Sequence, residues 1–207
     1  MGNTRLLRSF GAPLVARRTA FPLLLLASAA LAACGDANPF RSAAAYENFD
    51  RSYTLYALSG TSSALPAGYQ FTTESIVRPQ VLNTGALNFD IAMDIDVSGN
   101  VVVSTAKKLV PLPPAGAPSI GMLKLTAVYD QLTLAPDKGY VSDSTVTLKV
   151  GEAVLIRIIG SGCVYGEPFY AKLSIDEVDR TQRKISVRSL VNRNCGYRSL
   201  SSGVPTD

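Results

Sequence analysis

Residues 89–97, Phe-Asp-Ile-Ala-Met-Asp-Ile-Asp-Val, constrain the fold more than any other stretch of this chain. Phe89, Ile91, Met93, Ile95 and Val97 alternate with Asp90, Ala92, Asp94 and Asp96. A period of two predicts a strand with one buried face and one wet face. Ser98-Gly99-Asn100 then turns the chain into Val101-Val102-Val103, a hairpin signal. A strand of this kind needs partners, and the chain supplies them.

Other strands are predicted at Tyr53–Leu58, about Tyr69–Ile76, Met122–Leu134, Thr145–Val150, Ala153–Ile159, Phe169–Val178 and Lys184–Val191. Gly, Pro and Asp-Lys-Gly punctuation separates them. The last two flank a polar turn at Asp179–Arg183. Pro111, Pro113, Pro114 and Pro118 mark a loop, because proline cannot donate to a ladder. About nine short strands without a convincing amphipathic helix predict an all-β antiparallel domain, a sandwich or a barrel. The expected organisation is a leader at 1–33, a flexible tether at 34–50 and a single domain at 51–207, although the proline loop offers a place to divide it.

The leader is read from Arg5, Arg8, Arg17 and Arg18, an apolar run from Phe21 and small residues before Cys34. That is the pattern of a secretory signal peptide. The uncharged run from Thr19 to Gly35 falls short of the roughly 18–20 residues that span a bilayer. Leu31-Ala32-Ala33-Cys34 resembles the lipobox of bacterial lipoproteins. The resemblance covers only the signal region. It implies lipidation of the Cys34 thiol, cleavage before it, and a mature protein held on a membrane of the cell envelope. Gly35, where an Asp would favour inner-membrane retention, implies the outer membrane if the cell has one, facing the periplasm or the cell surface. Arg17-Arg18 with Phe21 falls one residue out of step with a twin-arginine signal, so ordinary export is expected.

Cleavage changes the electrostatics. Of 20 Lys and Arg, four precede Cys34, leaving 16 against the 16 Asp and Glu, all of which follow it. The mature chain is neutral, so no nucleic-acid partner is expected. Cys163 and Cys195 remain in a compartment that permits disulfides. They lie symmetrically about the predicted turn of the last hairpin, so a disulfide is expected to staple its open end.

Histidine is absent, which removes the Ser-His-Asp and Cys-His sites and the usual zinc sites. Gly160-Ser161-Gly162 does not meet the nucleophile-elbow pattern. Asp94-Ile95-Asp96-Val97-Ser98-Gly99 begins like a calcium loop, but Thr105 stands where the bidentate Glu belongs. Glu152, Glu167 and Glu177 are candidate carboxylates without a motif. Tyr165, Tyr170 and Tyr197 fall around the cysteines and are expected to pack against the disulfide. Arg183, Lys184, Arg188, Arg193 and Arg198 form a basic run without an acid among them. It is either a patch for anionic headgroups or polysaccharide, or a strand face neutralised by Asp176, Glu177 and Asp179. The expectation is a non-enzymatic, lipid-anchored domain that binds, scaffolds or assembles, with an envelope protein or polysaccharide as partner and without a cofactor. The alternatives are a small carboxylate hydrolase acting on polysaccharide and a calcium-stabilised adhesin module.

Overall fold

The computed structural model describes residues 42–206 apart from 111 and 161. The signal segment, Cys34 and the first part of the tether lie outside the described residues. Among those described, eleven strands form two antiparallel sheets: β1 (Asp50–Tyr56), β2 (Gly68–Gln70), β3 (Ser75–Val77), β4 (Ile91–Ile95), β5 (Val101–Thr105), β6 (Ser119–Lys124), β7 (Val141–Ser142), β8 (Thr145–Leu148), β9 (Ala153–Ile159), β10 (Phe169–Asp179) and β11 (Lys184–Asn192). One sheet has the order β1-β11-β10-β9-β6-β7 and the other β3-β2-β4-β5-β8. The fold is the expected all-β class, resolved as a two-sheet sandwich. The proline loop does not divide it: β1 joins β11 and β8 joins β5 across that loop.

The core lies between the sheets. Ile91, Met93 and Ile95 on β4 meet Val101 and Val103 on β5, and Leu155's neighbours Val154, Ile156 and Ile158 together with Leu173, Ile175, Ile185 and Val187 supply the facing layer. Pairing puts Ile91 opposite Thr105, Met93 opposite Val103 and Ile95 opposite Val101. Gly99 takes the left-handed conformation at the turn (φ 83°) that a side chain resists. Asp96 holds that turn by accepting Asn100 N–H at 2.8 Å and Asn100 Nδ2 at 3.1 Å.

Two positions of this hairpin depart from the alternation. Val97, expected on the buried face, is fully exposed at 106 %, because the strand ends at Ile95 and Val97 belongs to the turn. Asp90, expected on the wet face, is only 5 % exposed. The outer face of β4 is covered by the short helix α1 (Ala106–Leu109), where Phe89, Ala92 and Ala106 make a small cluster of their own. Asp90 Oδ2 accepts the Phe71 N–H at 2.7 Å.

Elsewhere tertiary context redrew the predicted strands. Residues 69–76 are not one strand but the β2–β3 hairpin, with Tyr69 opposite Ile76. Residues 122–134 begin as β6, which stops at Lys124; a 3-10 turn at Tyr129–Gln131 follows. This loop lies on the outer face of the six-stranded sheet. There Tyr129, Leu132 and Ala135 cover Leu155, Tyr170 and Leu190. Lys172 is buried beneath it and donates to Tyr129 O at 3.2 Å and Leu132 O at 3.0 Å. Its apolar stem and paired head explain how a lysine can sit there, and burial lowers its pKa.

The tether expected to run to residue 50 is shorter than that. The compact unit begins at Ser42. Asn194 Oδ1 accepts the N–H groups of Ala45 at 2.8 Å and Tyr46 at 2.9 Å, and Asn194 Nδ2 donates to Tyr46 O. Asn48 exchanges two backbone bonds of 2.9 Å with Gly203. A low-complexity segment is ordered here by partners about 150 residues away. Both sheets, their cores and both cysteines lie beyond Ser42, so a chain lacking residues 1–34 keeps every strand pairing and the disulfide.

Burial raises the Asp90 carboxyl to about 6 from its ordinary 3.8. The folded state then holds this proton more tightly than the unfolded chain. The group's contribution to stability is complete below pH 4 and is lost as pH rises through 6, a swing of about 2–3 kcal/mol. Asp90→Asn keeps an acceptor for Phe71. Its stability relative to wild type is expected to grow by about that amount between pH 4 and pH 7 in urea unfolding; an unchanged difference refutes the assignment.

Candidate functional site

The side chains on one face of a strand share parity. On β1 the core face carries Leu55, Tyr53 and then Arg51; on β11 it carries Val187, Ser189, Val191 and, one step past the strand, Arg193. Each series starts in the apolar core and ends in arginine at the same end of the sandwich. Both arginines reach across to Glu74, in the β2–β3 turn of the other sheet. Arg51 Nε lies 2.8 Å from Glu74 Oε2 and Arg193 Nε 3.1 Å from Oε1. The Glu74 side chain is only 9 % exposed.

Glu74 adopts φ 51°, a left-handed conformation that costs a non-glycine residue about 1 kcal/mol or more. The two guanidiniums offset that cost and tie the sheets together. Each is also stacked on an aromatic ring from the N-terminal segment. Arg193 lies 4.7 Å from the Tyr46 centroid and Arg51 4.3 Å from that of Phe49. Beneath them Tyr53 and Tyr69 stack at 4.7 Å. Burial pushes both phenols up, Tyr69 to about 12. Their hydroxyls meet the side chain of Ser189, whose interaction works against that rise.

Beside this cluster a pocket of about 180 Å³ opens at the mouth of the sandwich, lined by Tyr46, Thr72, Gly162, Cys163, Phe169, Arg193 and Cys195. The expected disulfide is present. Cys163 and Cys195 are bonded with Cα atoms 5.7 Å apart at the open end of the β10–β11 hairpin, and they form part of the pocket wall. Tyr46 and Arg193 supply its polar rim, while Phe169 and the disulfide supply an apolar floor. None of these lining residues is a carboxylate.

The basic run does not form one surface. Arg183, itself at φ 51°, turns to the opposite end of the sandwich, pairs with Asp94 at 2.9 Å and donates to Ser59 O and Ile95 O. Lys184 starts β11 opposite Tyr56. Arg188 has the other parity and points to the outer face, pairing with Asp130 at 3.1 Å and stacking 4.1 Å from the Tyr129 ring. Arg198 pairs with Asp137 at 2.8 Å. Only Arg193 reaches the pocket. Neutralisation is real, but its partners are Asp94, Asp130, Glu74 and Asp137, not the nearby acids. Asp179 instead accepts the N–H groups of Thr181 and Gln182, and Asp176 accepts Ser174 Oγ.

The other candidates serve the fold. Glu152 accepts Lys124 Nζ at 2.6 Å and Lys149 N–H at 2.8 Å, contacts that hold its carboxyl below the usual range. Glu177 follows a bulge on β10 and is exposed, and neither it nor Glu167 lines the pocket. Asp94 is tied to Arg183 and Ser59 rather than joined to Asp96 in a cage. Among the described residues no group of three or more His, Cys, Asp or Glu is placed to hold a metal ion. Tyr170 packs against Tyr140 on the outer face, and the Tyr197 hydroxyl accepts Ala44 N–H at 3.2 Å. The side chain of Tyr165, like Ser161, lies outside the described set. The tyrosine at the disulfide pocket is Tyr46, which the sequence placed in the tether. Nothing in its local pattern marks it.

Compared with protein-family models, curated proteins and solved structures, the chain matches none.

Two outcomes test this end of the domain. The disulfide closes a loop with a sequence separation of 32, so its reduction is expected to cost about 3–4 kcal/mol and lower the melting temperature. An unchanged calorimetric transition refutes a structural role. Glu74→Gln leaves two half-buried arginines sharing a neutral amide; a loss of about 1–2 kcal/mol is expected. The loss should shrink in 1 M salt, where screening weakens the wild-type pairs, and a variant as stable as wild type at low salt refutes the clamp.

Proposed function

We propose that this protein is a non-enzymatic binding component of the bacterial cell envelope, held on a membrane through lipidated Cys34. The anchor rests on the Leu31-Ala32-Ala33-Cys34 motif after its basic and apolar segments. The binding role rests on the mouth of the sandwich, where a small pocket with an arginine rim and an apolar floor sits among side chains otherwise devoted to structure. The observation that carries it is the chemistry of the lining. An arginine, two aromatic rings and a disulfide recognise a ligand, whereas polysaccharide hydrolysis needs a pair of carboxylates facing the bond to be cut.

The two halves of the reading meet in the N-terminal segment. Ala44, Ala45 and Tyr46 are pinned by Tyr197 and Asn194 beside the pocket. Ten residue steps separate Cys34 from Ala44, a reach of at most about 36 Å. A lipidated Cys34 would tether Ala44, and with it the pocket, within that length of the membrane, the outer membrane of a cell that has one.

Cys34→Ala is the direct test. The variant is expected to lose its acyl mass and to leave the membrane fraction on salt or carbonate extraction, while the wild type stays in the detergent phase. Equal partitioning of the two refutes the anchor.

A further inference from the structure

We propose that the mouth pocket takes an anionic group carried on a small apolar body. The anion pairs with Arg193, and the apolar part lies against Phe169 and the Cys163–Cys195 disulfide. The inference deepens the binding role above and rests on it.

Charge comes first. Arg51 and Arg193 share a single carboxylate, Glu74, so the cluster carries one positive charge in excess. Glu74 occupies the Nε edge of Arg193. Its Nη1 donates to a carbonyl, Thr72 O, at a long 3.4 Å. A guanidinium offers five donors in a planar fork, so Arg193 can keep Glu74 and still meet a carboxylate or phosphate from the pocket side. Tyr46 beneath it holds the fork in place by stacking.

Shape and polarity then narrow the ligand. About 180 Å³ compares with the roughly 150 Å³ of a cavity that takes a benzene ring, enough for a short-chain or single-ring acid. A whole oligosaccharide exceeds that volume. A neutral sugar would need an open ring face to stack on, and the Tyr46 ring already carries Arg193. Phe169, 2 % exposed, and the disulfide offer an apolar contact and no hydrogen bonds to a hydroxylated ligand. The same chemistry is found in a soluble organic acid and in an anionic lipid, and the test separates these sources.

The experiment uses the chain from Gly35 to Asp207, which keeps all the described strands and the disulfide but lacks the anchor. NMR titrations with sodium octanoate, sodium phosphate and N-acetylglucosamine read the ligand class. Octanoate is expected to shift Tyr46, Gly162, Cys163, Phe169 and Cys195 saturably, more tightly than either other probe. Arg193→Gln is expected to weaken octanoate about tenfold, the loss of one charge-assisted contact. Because that change also opens the Glu74 clamp, Tyr46→Ser provides a second variant that leaves Glu74 paired and should weaken octanoate too.

The proposal is overturned if octanoate does not saturate, if N-acetylglucosamine or phosphate binds as tightly, or if both variants bind like wild type. Vesicles of phosphatidylcholine alone and of phosphatidylcholine with phosphatidylglycerol (3:1) assign the source. Perturbation of the same residues by the anionic vesicles supports a lipid ligand. Octanoate binding with silent vesicles supports a soluble acid. Failure here leaves the anchor standing, since Cys34 is absent from the tested chain, and failure of the Cys34→Ala fractionation leaves these titrations standing.

Discussion

Two sheets, each with one apolar face, have to cover one another, and the rest of this domain depends on that burial. Neither sheet is built from a contiguous half of the chain. β1 joins β11, so the six-stranded face waits for both ends of the domain, and β5 joins β8, so the five-stranded face waits for a strand beyond the proline loop. Burial of side chains such as Leu55, Ile91, Met93, Ile156 and Leu173, at about 25 cal/mol per Å² of apolar surface, provides the main driving force. Polar interactions are then left to decide the edges, the turns and the outer faces.

Those edges show how polar chemistry is confined. At one end Arg183 gathers Ser59, Asp94 and Ile95, locking the β10–β11 turn to the β4 end of the opposite sheet. At the other, Arg51 and Arg193 share Glu74 in a left-handed turn. Both clamps cross between sheets, and each uses a non-glycine residue at positive φ. Backbone strain of this sort is held only where the surroundings over-determine it. The pocket lies at the Glu74 end, next to the disulfide and the docked N-terminal segment, so its walls come from four separate stretches of chain that the clamp and the disulfide hold together.

Much of the fold was legible from local pattern. The β4–β5 hairpin, β9 and the β10–β11 hairpin lie close to where strand-forming runs and turn residues place them, because strand propensity and Gly99 or Asp179 turn chemistry are local causes. The disulfide was legible from symmetric spacing about a predicted turn. Legibility failed where a second layer intervenes. Asp90 reads as a wet-face residue, yet its carboxylate is buried against the Phe71 N–H. Residues 125–134 read as strand, yet they serve as a lid over Leu155 and Tyr170. The basic run reads as one patch, but parity sends Arg188 outward and Arg193 inward, and a turn takes Arg183 to the far end.

The amino-acid sequence alone determined the class of the domain, the positions of its best hairpins, the likeness of residues 31–34 to a lipobox and the neutrality of the chain that follows. These are properties of periodicity, short motifs and composition, which need no knowledge of what lies nearby in space. Only the tertiary structure decided that Tyr46 belongs to a pocket, that Glu74 partners two arginines, and that the segment after Ser42 is docked rather than loose. Those contacts join residues far apart in the chain, by 23 positions for Arg51 and Glu74 and by 153 for Ala44 and Tyr197. Their energies depend on distance and burial, and those exist only once the two sheets have closed.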